Sequence, residues 1–289
     1  MRLSQLLLLC IYAILNALKT LLLRIGMKRK YLLNGLLIVF AATFVFSAYK
    51  LYDIYSKYKQ GRDEYTSIFE YAYIPPDSVQ ITDAADATDG DKAEPKAVPL
   101  VDYRALKEIN PDYIGWIDIP GSSISYPIVV GGADNYYLKH TFKKAYNEAG
   151  CIFLDYRTSD FNSRHVVIYG HRMRDGSMFA GLGKYLDPVF YADNKEIHIY
   201  TNTELLVYEI FSVREVYTDD SCYNLNFADN KAFGTWLGQM KSSSLYETEL
   251  NPVDSKGIIT LSTCVTGNRE KRCVVQAQLV RKHRLFSLS

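Results

Sequence analysis

The chain has 289 residues, of which 48% are hydrophobic, so it can form one domain of ordinary size with additional segments, or two small domains. Its formal net charge of +1 argues against nucleic acid as a partner. Five cysteines at irregular spacing, with no CxxC pair, predict neither a disulfide framework nor a structural zinc site.

The N-terminal region predicts a membrane anchor. Residues 31–49 carry no charged side chain, and about 20 apolar residues are enough to cross the hydrocarbon core of a bilayer. The basic stretch 27–30 comes directly before them and should stay cytoplasmic, so that the chain after Lys50 faces outward. A cleaved signal peptide is less favoured, because the apolar run is long and no clear cleavage site follows it. We therefore expect a transmembrane signal anchor over residues 27–52, and a single-pass protein of the cell membrane with an extracellular C-terminal domain.

An apolar extension over residues 1–26 precedes this anchor and leaves two alternatives open. Its apolar stretch, residues 3–23, is interrupted only by Lys19, so it could form a second span and a hairpin with a basic cytoplasmic turn. It could instead lie upstream of a true start at Met27. We favour the second alternative, since MKRKYLLNGLL already has the pattern of a complete anchor beginning.

Residues 53–99 are predicted to be a stalk and a disordered linker. The first part is polar with scattered Tyr and Ile, which favours a helix or stalk, and Pro75 and Pro76 would end any helix. Residues 77–99 are rich in Asp, Ala and Pro, and such a composition buries too little apolar surface to become ordered.

Residues 100–289 are predicted to form one folded domain. A short amphipathic helix over 101–109 opens it, and a second helix over 228–244 shows apolar residues at helical spacing. Eight short strands are predicted, separated by Gly, Asn, Asp or Pro, over residues 114–119, 126–130, 151–154, 165–169, 196–201, 205–213, 257–263 and 273–280. This density of strands favours a closed or nearly closed antiparallel barrel over repeated βαβ units.

Three residues at strand ends are candidates for thiol chemistry. Cys264 lies where a predicted strand gives way to a polar loop, so its thiol can be accessible on a rigid base. A cysteine attacks as a thiolate, which is a minor species at neutral pH unless a cation stabilises it. Arg272 opens the return strand, and pairing of the two strands would place its guanidinium opposite Cys264. His171 also follows a strand, and an imidazole can exchange protons near neutral pH.

These residues lie in blocks that resemble the class B sortases, in the order typical of that family. The resemblance runs from about Leu100 to the C-terminus and selects Cys264, His171 and Arg272 as functional, although each alone would more often be structural. The matching blocks are INPDYIGWIDIPGSSISYPIV (109–129), DNYYLKHTF (134–142), GCIFLDYR (150–157), VVIYGHRMRDGSMFAGL (166–182) and TLSTC (260–264) followed by Arg272.

The resemblance implies a mostly β fold: an eight-stranded sortase-type β-barrel with an N-terminal helix and an added helix before the Cys-bearing strand. It implies a membrane-anchored cysteine transpeptidase of Gram-positive bacteria. Such an enzyme cleaves a C-terminal sorting motif of secreted proteins at a Thr carbonyl and transfers the protein to an amine of a peptidoglycan precursor or cross-bridge. Cys264 would form the thioester, His171 would protonate the departing amine, and Arg272 would hold the oxyanion.

The resemblance also extends to substrate contacts and cofactors. Asn135, Leu138 and Ser262 are expected to contact the substrate, the helix 228–244 with the segment 223–227 is expected to line the groove, and no cofactor or metal is implied. Class B members tend to favour NPxTx-like motifs. Arg269 is an alternative to Arg272.

Two other functions remain open: a thiol peptidase that only hydrolyses, and a catalytically silent module that binds the cell wall.

Overall fold

The structure, a computed structural model, describes residues 12–13, 15–17, 19–20, 29–72, 81–83, 101–132 and 135–285. The predicted extension 1–26 lies mostly outside the described residues, and so does most of the predicted linker. Contacts divide the chain into two compact units, Met1–Lys59 and Gln60–Ser289.

A long helix, α1 (Arg29–Phe69), contains the predicted anchor, and a 3₁₀ turn (Glu70–Ala72) follows it. Within the described residues, one helical stretch, Tyr31–Ala72, is long and apolar enough to cross a membrane, with a mean hydropathy of 2.0 in its most apolar window. None of that window is buried, and Leu37 and Phe44 are among its exposed side chains. Length and composition therefore meet the requirement for a membrane span.

In the part of the chain that the structure describes, nine strands form one sheet, and eight of them close into a barrel. The strands are β1 (Ile81–Asp83), β2 (Tyr113–Asp118), β3 (Ser125–Val130), β4 (Ile152–Leu154), β5 (His165–Tyr169), β6 (Glu196–Tyr200), β7 (Glu204–Tyr217), β8 (Ile258–Val265) and β9 (Asn268–Leu285). Their order is β1-β9-β7-β6-β2-β3-β4-β5-β8, and β8 also pairs with β9, which closes the ring. Each predicted strand overlaps one of β2–β9, so the predicted eight-stranded barrel is confirmed.

The barrel is not wholly antiparallel, as the strand pattern had suggested. The pairs β3–β4 and β5–β8 are parallel. Parallel neighbours need a long connection between them, and the chain between β5 and β8 supplies one that includes β6 and β7. The periodicity of a single strand carries no information about the direction of its partner, so this pairing emerges only in three dimensions.

Among the described residues of the barrel unit, three shorter α-helices accompany the strands: α2 (Tyr103–Ile109), α3 (Pro188–Asp193) and α4 (Asn230–Ser242). Helix α4 lies within the predicted helix 228–244. Asp229 is its N-cap residue, and the Asp229 side chain accepts a hydrogen bond from the Ala232 amide. Its buried face consists of the apolar residues recognised in the sequence, namely Phe233, Trp236, Leu237 and Met240. They pack with Phe211 and Val274 in one buried cluster, so this face serves as core.

The part of the chain that packs on the barrel begins earlier than residue 100. Ile68 is fully buried in a cluster with Trp116 and Phe153, and Tyr65 packs against the same cluster. Within the predicted stalk and linker, residues 60–72 therefore belong to the barrel unit. Alternating polar and aromatic residues gave no sign of this contact, because the partner surface is assembled from strands that follow much later.

A short strand also lies within the range predicted to be disordered. β1 pairs antiparallel with the end of β9, with Ile81 opposite Leu285 and Asp83 opposite His283. β8 leaves β9 at Gln278, so the end of β9 presents an open edge to which a short strand can add. Within residues 77–99, the structure describes these three positions and gives them as a strand, and the prediction of disorder for the range stays a prediction.

Candidate active site

Three neighbouring strands bring Cys264, His171 and Arg272 to one end of the barrel. Cys264 is the register partner of Arg272 in the antiparallel pair β8–β9. On the other side of β8, the parallel pair β5–β8 ends with Tyr169 opposite Ser262, and His171 and Cys264 each lie two residues further on. Since β8 lies between β5 and β9, Cys264 lies between the other two residues. Neighbouring strands are about 5 Å apart.

The β5–β8 contact continues beyond the last strand pair. The Gly170 amide donates to the Ser262 carbonyl at 3.2 Å, and the Thr263 hydroxyl donates to the Gly170 carbonyl at 2.8 Å. Gly170 has no room for a side chain: a Cβ there would lie 2.4 Å from the Ile152 side chain and 2.7 Å from the Phe179 ring. These contacts hold the backbone directly before His171 in place.

The imidazole of His171 has a defined orientation. Its Nε2 lies 2.7 Å from the Leu138 carbonyl oxygen. Because a carbonyl only accepts hydrogen bonds, Nε2 carries a hydrogen, and Nδ1 is the nitrogen that can change its protonation state. The His171 carbonyl in turn accepts a hydrogen bond from the Phe179 amide at 2.8 Å. Both the ring and the backbone of His171 are thus tied to neighbouring segments.

Cys264 differs from the other three cysteines that the structure describes. Cys151, Cys222 and Cys273 are buried, whereas Cys264 is half-buried. Burial raises the pKa of Cys151 to about 12 and that of Cys273 to about 12, and it raises the pKa of Cys222 as well. These three remain neutral thiols buried in the core.

The strand ends open into a cleft of about 660 Å³. It is lined by Asn135, Leu138, Phe153, Arg157, Tyr169, Gly170, His171, Thr218, Tyr223, Ser262, Thr263, Cys264 and Arg272. All six residues predicted from the sequence for catalysis or substrate contact are in this set. The side chain of Arg269, the alternative to Arg272, lies outside the part of the chain that the structure describes.

Two arginines and a histidine are among the residues that line the cleft, and none of the lining residues carries a carboxylate, although Arg157 is paired with Asp155. Positive charge near a thiol favours the thiolate. Across the described residues there is no group of three or more His, Cys, Asp or Glu that could hold a metal ion. The expectation that the chemistry needs no metal stays a prediction.

An ion pair on one wall of the cleft was not predicted. The Arg157 guanidinium donates through Nε and Nη2 to both oxygens of Asp155, each at 2.8 Å, and the Tyr169 hydroxyl donates to the same carboxylate at 3.0 Å. Burial alone would raise the pKa of Asp155, but these hydrogen bonds outweigh it and the pKa lies below its ordinary value. The block GCIFLDYR contains Asp155 and Arg157, yet its sequence gives no chemical reason to select them.

Tyr223 forms another part of the wall. Its hydroxyl and that of Ser262 are 2.9 Å apart, and burial raises the pKa of this phenol despite the nearby positive charge of Arg272. Within the segment 223–227, which was expected to line the groove, Tyr223 alone is among the lining residues, and none comes from α4. Helix α4 instead lines a separate groove of about 630 Å³, together with Asn224 and Phe227, so the expected contact of the helix with substrate stays a prediction.

Comparison with known proteins identifies the family of this fold. The family model of the sortase domain matches residues 117–280. Sortase B of Listeria monocytogenes serovar 1/2a is 38% identical over 184 residues, which is 63% of this chain and 75% of that protein. The X-ray structure of Clostridium perfringens sortase B superposes with a TM-score of 0.59 at 32% identity and covers 61% of this chain and 98% of that one. A crystal structure of sortase B from B. anthracis has a TM-score of 0.64 at 30% identity and covers 78% of this chain and 99% of that one.

A closed barrel with a cysteine at the end of one strand, next to a histidine and an arginine, is the arrangement of a thiol enzyme with a strand-end active site. With a family match over more than half of its length, the chain belongs to the sortase family. Its similarity to sortase B proteins places it in class B, and it is a cysteine transpeptidase of the sortase type.

Proposed function

We propose that this sortase is anchored in the cell membrane and joins secreted proteins that carry a C-terminal sorting motif to an amine of peptidoglycan. Residues 27–52 form the signal anchor and residues 100–289 contain the catalytic domain on the extracellular side; of the stretch 53–99 between them, residues 60–72 pack on the barrel. The apolar helix and the basic stretch at residues 27–30 support this orientation.

In the first half of the reaction, the Cys264 thiolate attacks the carbonyl carbon of the motif Thr. A carbon–sulfur bond forms, and the oxyanion accepts hydrogen bonds from the Arg272 guanidinium. The carbon–nitrogen bond then breaks. The leaving amine takes a proton from Nδ1 of the protonated His171, and the secreted protein remains on Cys264 as a thioester.

In the second half, an amino group of a peptidoglycan precursor or cross-bridge attacks the thioester. Its proton passes to Nδ1 of His171, a new amide bond forms, and the Cys264 thiolate leaves. The enzyme returns to its starting state, with His171 now carrying a proton from the acceptor amine in place of the one that left with the first amine. Water competes for the thioester, so the ratio of amide to acid among the products distinguishes a transpeptidase from a thiol peptidase that only hydrolyses.

Asn135, Leu138 and Ser262 contact the substrate in this proposal, because they line the same cleft as Cys264. The Leu138 carbonyl also orients His171, so a substrate that packs on Leu138 would lie beside the proton donor. The absence of carboxylates among the lining residues favours neutral or acidic motifs over basic ones.

One observation carries the proposal: Cys264 lies between His171 and Arg272 on three adjacent strands that end in a single cleft. A nucleophile, a proton carrier and a rigid cation are the groups that thioester formation from an amide requires. A module that merely binds the cell wall would need none of them.

The test uses the full chain in detergent with fluorogenic pentapeptides, including NPxTx-like ones, with and without an amine acceptor. We expect cleavage of at least one peptide, and the acceptor should convert the acid product into an amide. Cys264→Ala should abolish turnover, and His171→Ala and Arg272→Ala should each lower kcat about a hundredfold or more. Turnover by all three variants at the wild-type rate would overturn the proposed roles.

A further inference from the structure

The surroundings of His171 depend on the segment 137–151, which includes Leu138 and Gly150. The Cys151 amide donates to the Tyr137 carbonyl at 2.9 Å, which brings the two ends of the segment together. Gly150 has a φ of 60°, and a Cβ on it would lie 3.1 Å from Cδ2 of His171. One end of the segment thus supplies the acceptor for His171 Nε2, and the other end packs directly against its ring.

Helix α1 holds this segment at its Gly150 end. The Tyr65 hydroxyl donates to the Gly150 carbonyl at 2.6 Å. Burial raises the pKa of Tyr65 well above its ordinary value, so the hydroxyl is a hydrogen-bond donor across the physiological pH range. The short bond from this hydroxyl restrains the Gly150 backbone, because breaking it would leave the Gly150 carbonyl without its donor.

Tyr65 is also linked, through Tyr126 and Met178, to the residue that follows His171. Its ring contacts Tyr126 edge to face, with centroids 5.5 Å apart. The Tyr126 hydroxyl accepts a hydrogen bond from the Met178 amide at 2.9 Å, and Met178 forms a β-bridge with Arg172, the residue after His171. Met178 has a φ of 56°, a strained conformation that its surroundings must maintain. Tyr65 therefore supports the segments on both flanks of the imidazole.

Other residues of α1 hold the middle of the same segment. The Glu64 carboxylate accepts hydrogen bonds from the Thr141 hydroxyl and the Lys143 amide, each at 2.8 Å. Gly61 faces Asn147 so closely that a Cβ would lie 3.3 Å from its amide group. Three positions on one face of the helix thus contact the segment along its length.

We propose that Tyr65 is a positioning residue for the transpeptidation reaction, because its hydroxyl fixes the Gly150 backbone and thereby the His171 imidazole beside Cys264. The proposal rests on the proposed role of His171. It assigns a catalytic purpose to the part of α1 that follows the apolar stretch, beyond that of a spacer between membrane and barrel.

The kinetic test compares Tyr65→Phe with Tyr246→Phe in the full chain. Tyr246 offers a matched control, since its hydroxyl donates to the Tyr185 carbonyl at 2.7 Å and it does not line the cleft. Both changes remove one hydroxyl from a bond to a backbone carbonyl and keep the ring. We expect Tyr65→Phe to lower kcat about tenfold with KM within about twofold, and Tyr246→Phe to leave both values near wild type. Glu64→Ala, which releases the same segment at Thr141 and Lys143, should lower kcat in the same direction.

The second measurement does not depend on turnover. In ¹⁵N-labelled full chain, the side-chain resonances of His171 report its hydrogen bond to Leu138. Tyr65→Phe should shift the Nε2–H resonance and speed its exchange with water, whereas Tyr246→Phe should change neither. If Tyr65→Phe matches Tyr246→Phe in kcat and in the His171 resonances, the positioning role is overturned. A wild-type chain that fails to form amide products would instead overturn the proposed function, and the resonances would still test Tyr65.

Discussion

Cys264 and Arg272 are directly opposite each other in the antiparallel pair β8–β9, and regular pairing of the two strands breaks down immediately beyond them. The register shifts between Cys264 and Val265, so the site lies where the ladder becomes irregular. Such irregularities redirect side chains at the ends of barrels. A thiol and a guanidinium are therefore held by strand pairing up to the point where the chain opens into the cleft.

The pairing of Arg272 with Cys264 predicts that a positive charge at position 272 is not by itself enough for the wild-type kcat. Arg272→Lys keeps the positive charge but loses the planar fork that can donate two parallel hydrogen bonds to an oxyanion. We expect kcat to fall about tenfold to a hundredfold, and Arg272→Ala to be still less active. Arg281→Lys on the same strand is the control, since Arg281 is half-exposed and pairs with Glu196. Wild-type kcat in Arg272→Lys would contradict the proposed geometry.

The ion pair beside the cleft should matter for stability in a pH-dependent way. Asp155→Asn replaces the carboxylate that pairs with Arg157 and accepts a hydrogen bond from the Tyr169 hydroxyl. We expect a loss of about 1–3 kcal/mol in the free energy of unfolding at neutral pH. The pKa of Asp155 is lowered in the folded state, so its stabilisation is present above its unfolded pKa and is lost as pH falls through the folded value.

Denaturant unfolding of wild type and Asp155→Asn across the acidic range measures this effect. The two proteins should converge in stability as the wild-type carboxyl becomes protonated. An unchanged gap between them down to the most acidic pH at which both fold would show that the charge of Asp155 does not contribute.

His165 should make the fold less stable in mild acid. It is buried, with Nδ1 2.8 Å from the Asn224 carbonyl and Nε2 2.7 Å from the Thr260 hydroxyl. Burial lowers its pKa to about 4. The unfolded chain binds a proton near pH 6.5 and the folded chain does not, so stability is full above that pH and falls as pH drops toward 4, by about 3 kcal/mol at most.

The measurement compares wild type with His165→Gln, which cannot titrate in this range. The difference between the two proteins at pH 8 is the baseline for lost packing and hydrogen bonds. Wild type should then lose stability more steeply than the variant between pH 6.5 and 4. Parallel curves would mean that His165 is protonated equally in the folded and unfolded chains.

Gly170 should tolerate no side chain. Gly170→Ala would place a Cβ 2.4 Å from Ile152 and 2.7 Å from Phe179, so we expect a loss of about 1–3 kcal/mol in stability together with reduced kcat, because His171 follows directly. Gly238→Ala in α4 is the control: a Cβ there meets nothing within 4 Å, and alanine should stabilise the helix by up to about 1 kcal/mol. Thermal unfolding and peptide turnover of both variants measure these effects. Equal stability and equal kcat in the two variants would contradict the prediction.

Local patterns were sufficient for much of this protein. Short strand-like runs separated by Gly, Asn, Asp or Pro predicted all eight barrel strands, because this signal lies within each segment and its flanks. The apolar stripe of α4 and the facing positions of Cys264 and Arg272 followed in the same way, since a helix face and a hairpin are built from residues close in sequence. The length and charge pattern of residues 27–52 likewise indicated a possible span without reference to any other part of the chain.

Tertiary structure alone decided how distant segments meet. Thr263 and Gly170, 93 residues apart, are joined because β5 and β8 are parallel neighbours, and this pairing brings His171 beside Cys264. The contact of Tyr65 with Gly150 spans 85 residues and has no signature in either segment. Periodicity specifies which face of an element is buried, whereas the choice of partner is set by the packing of the whole barrel. That is why the candidate residues could be named from the sequence but their common cleft, and the helix that supports it, could not.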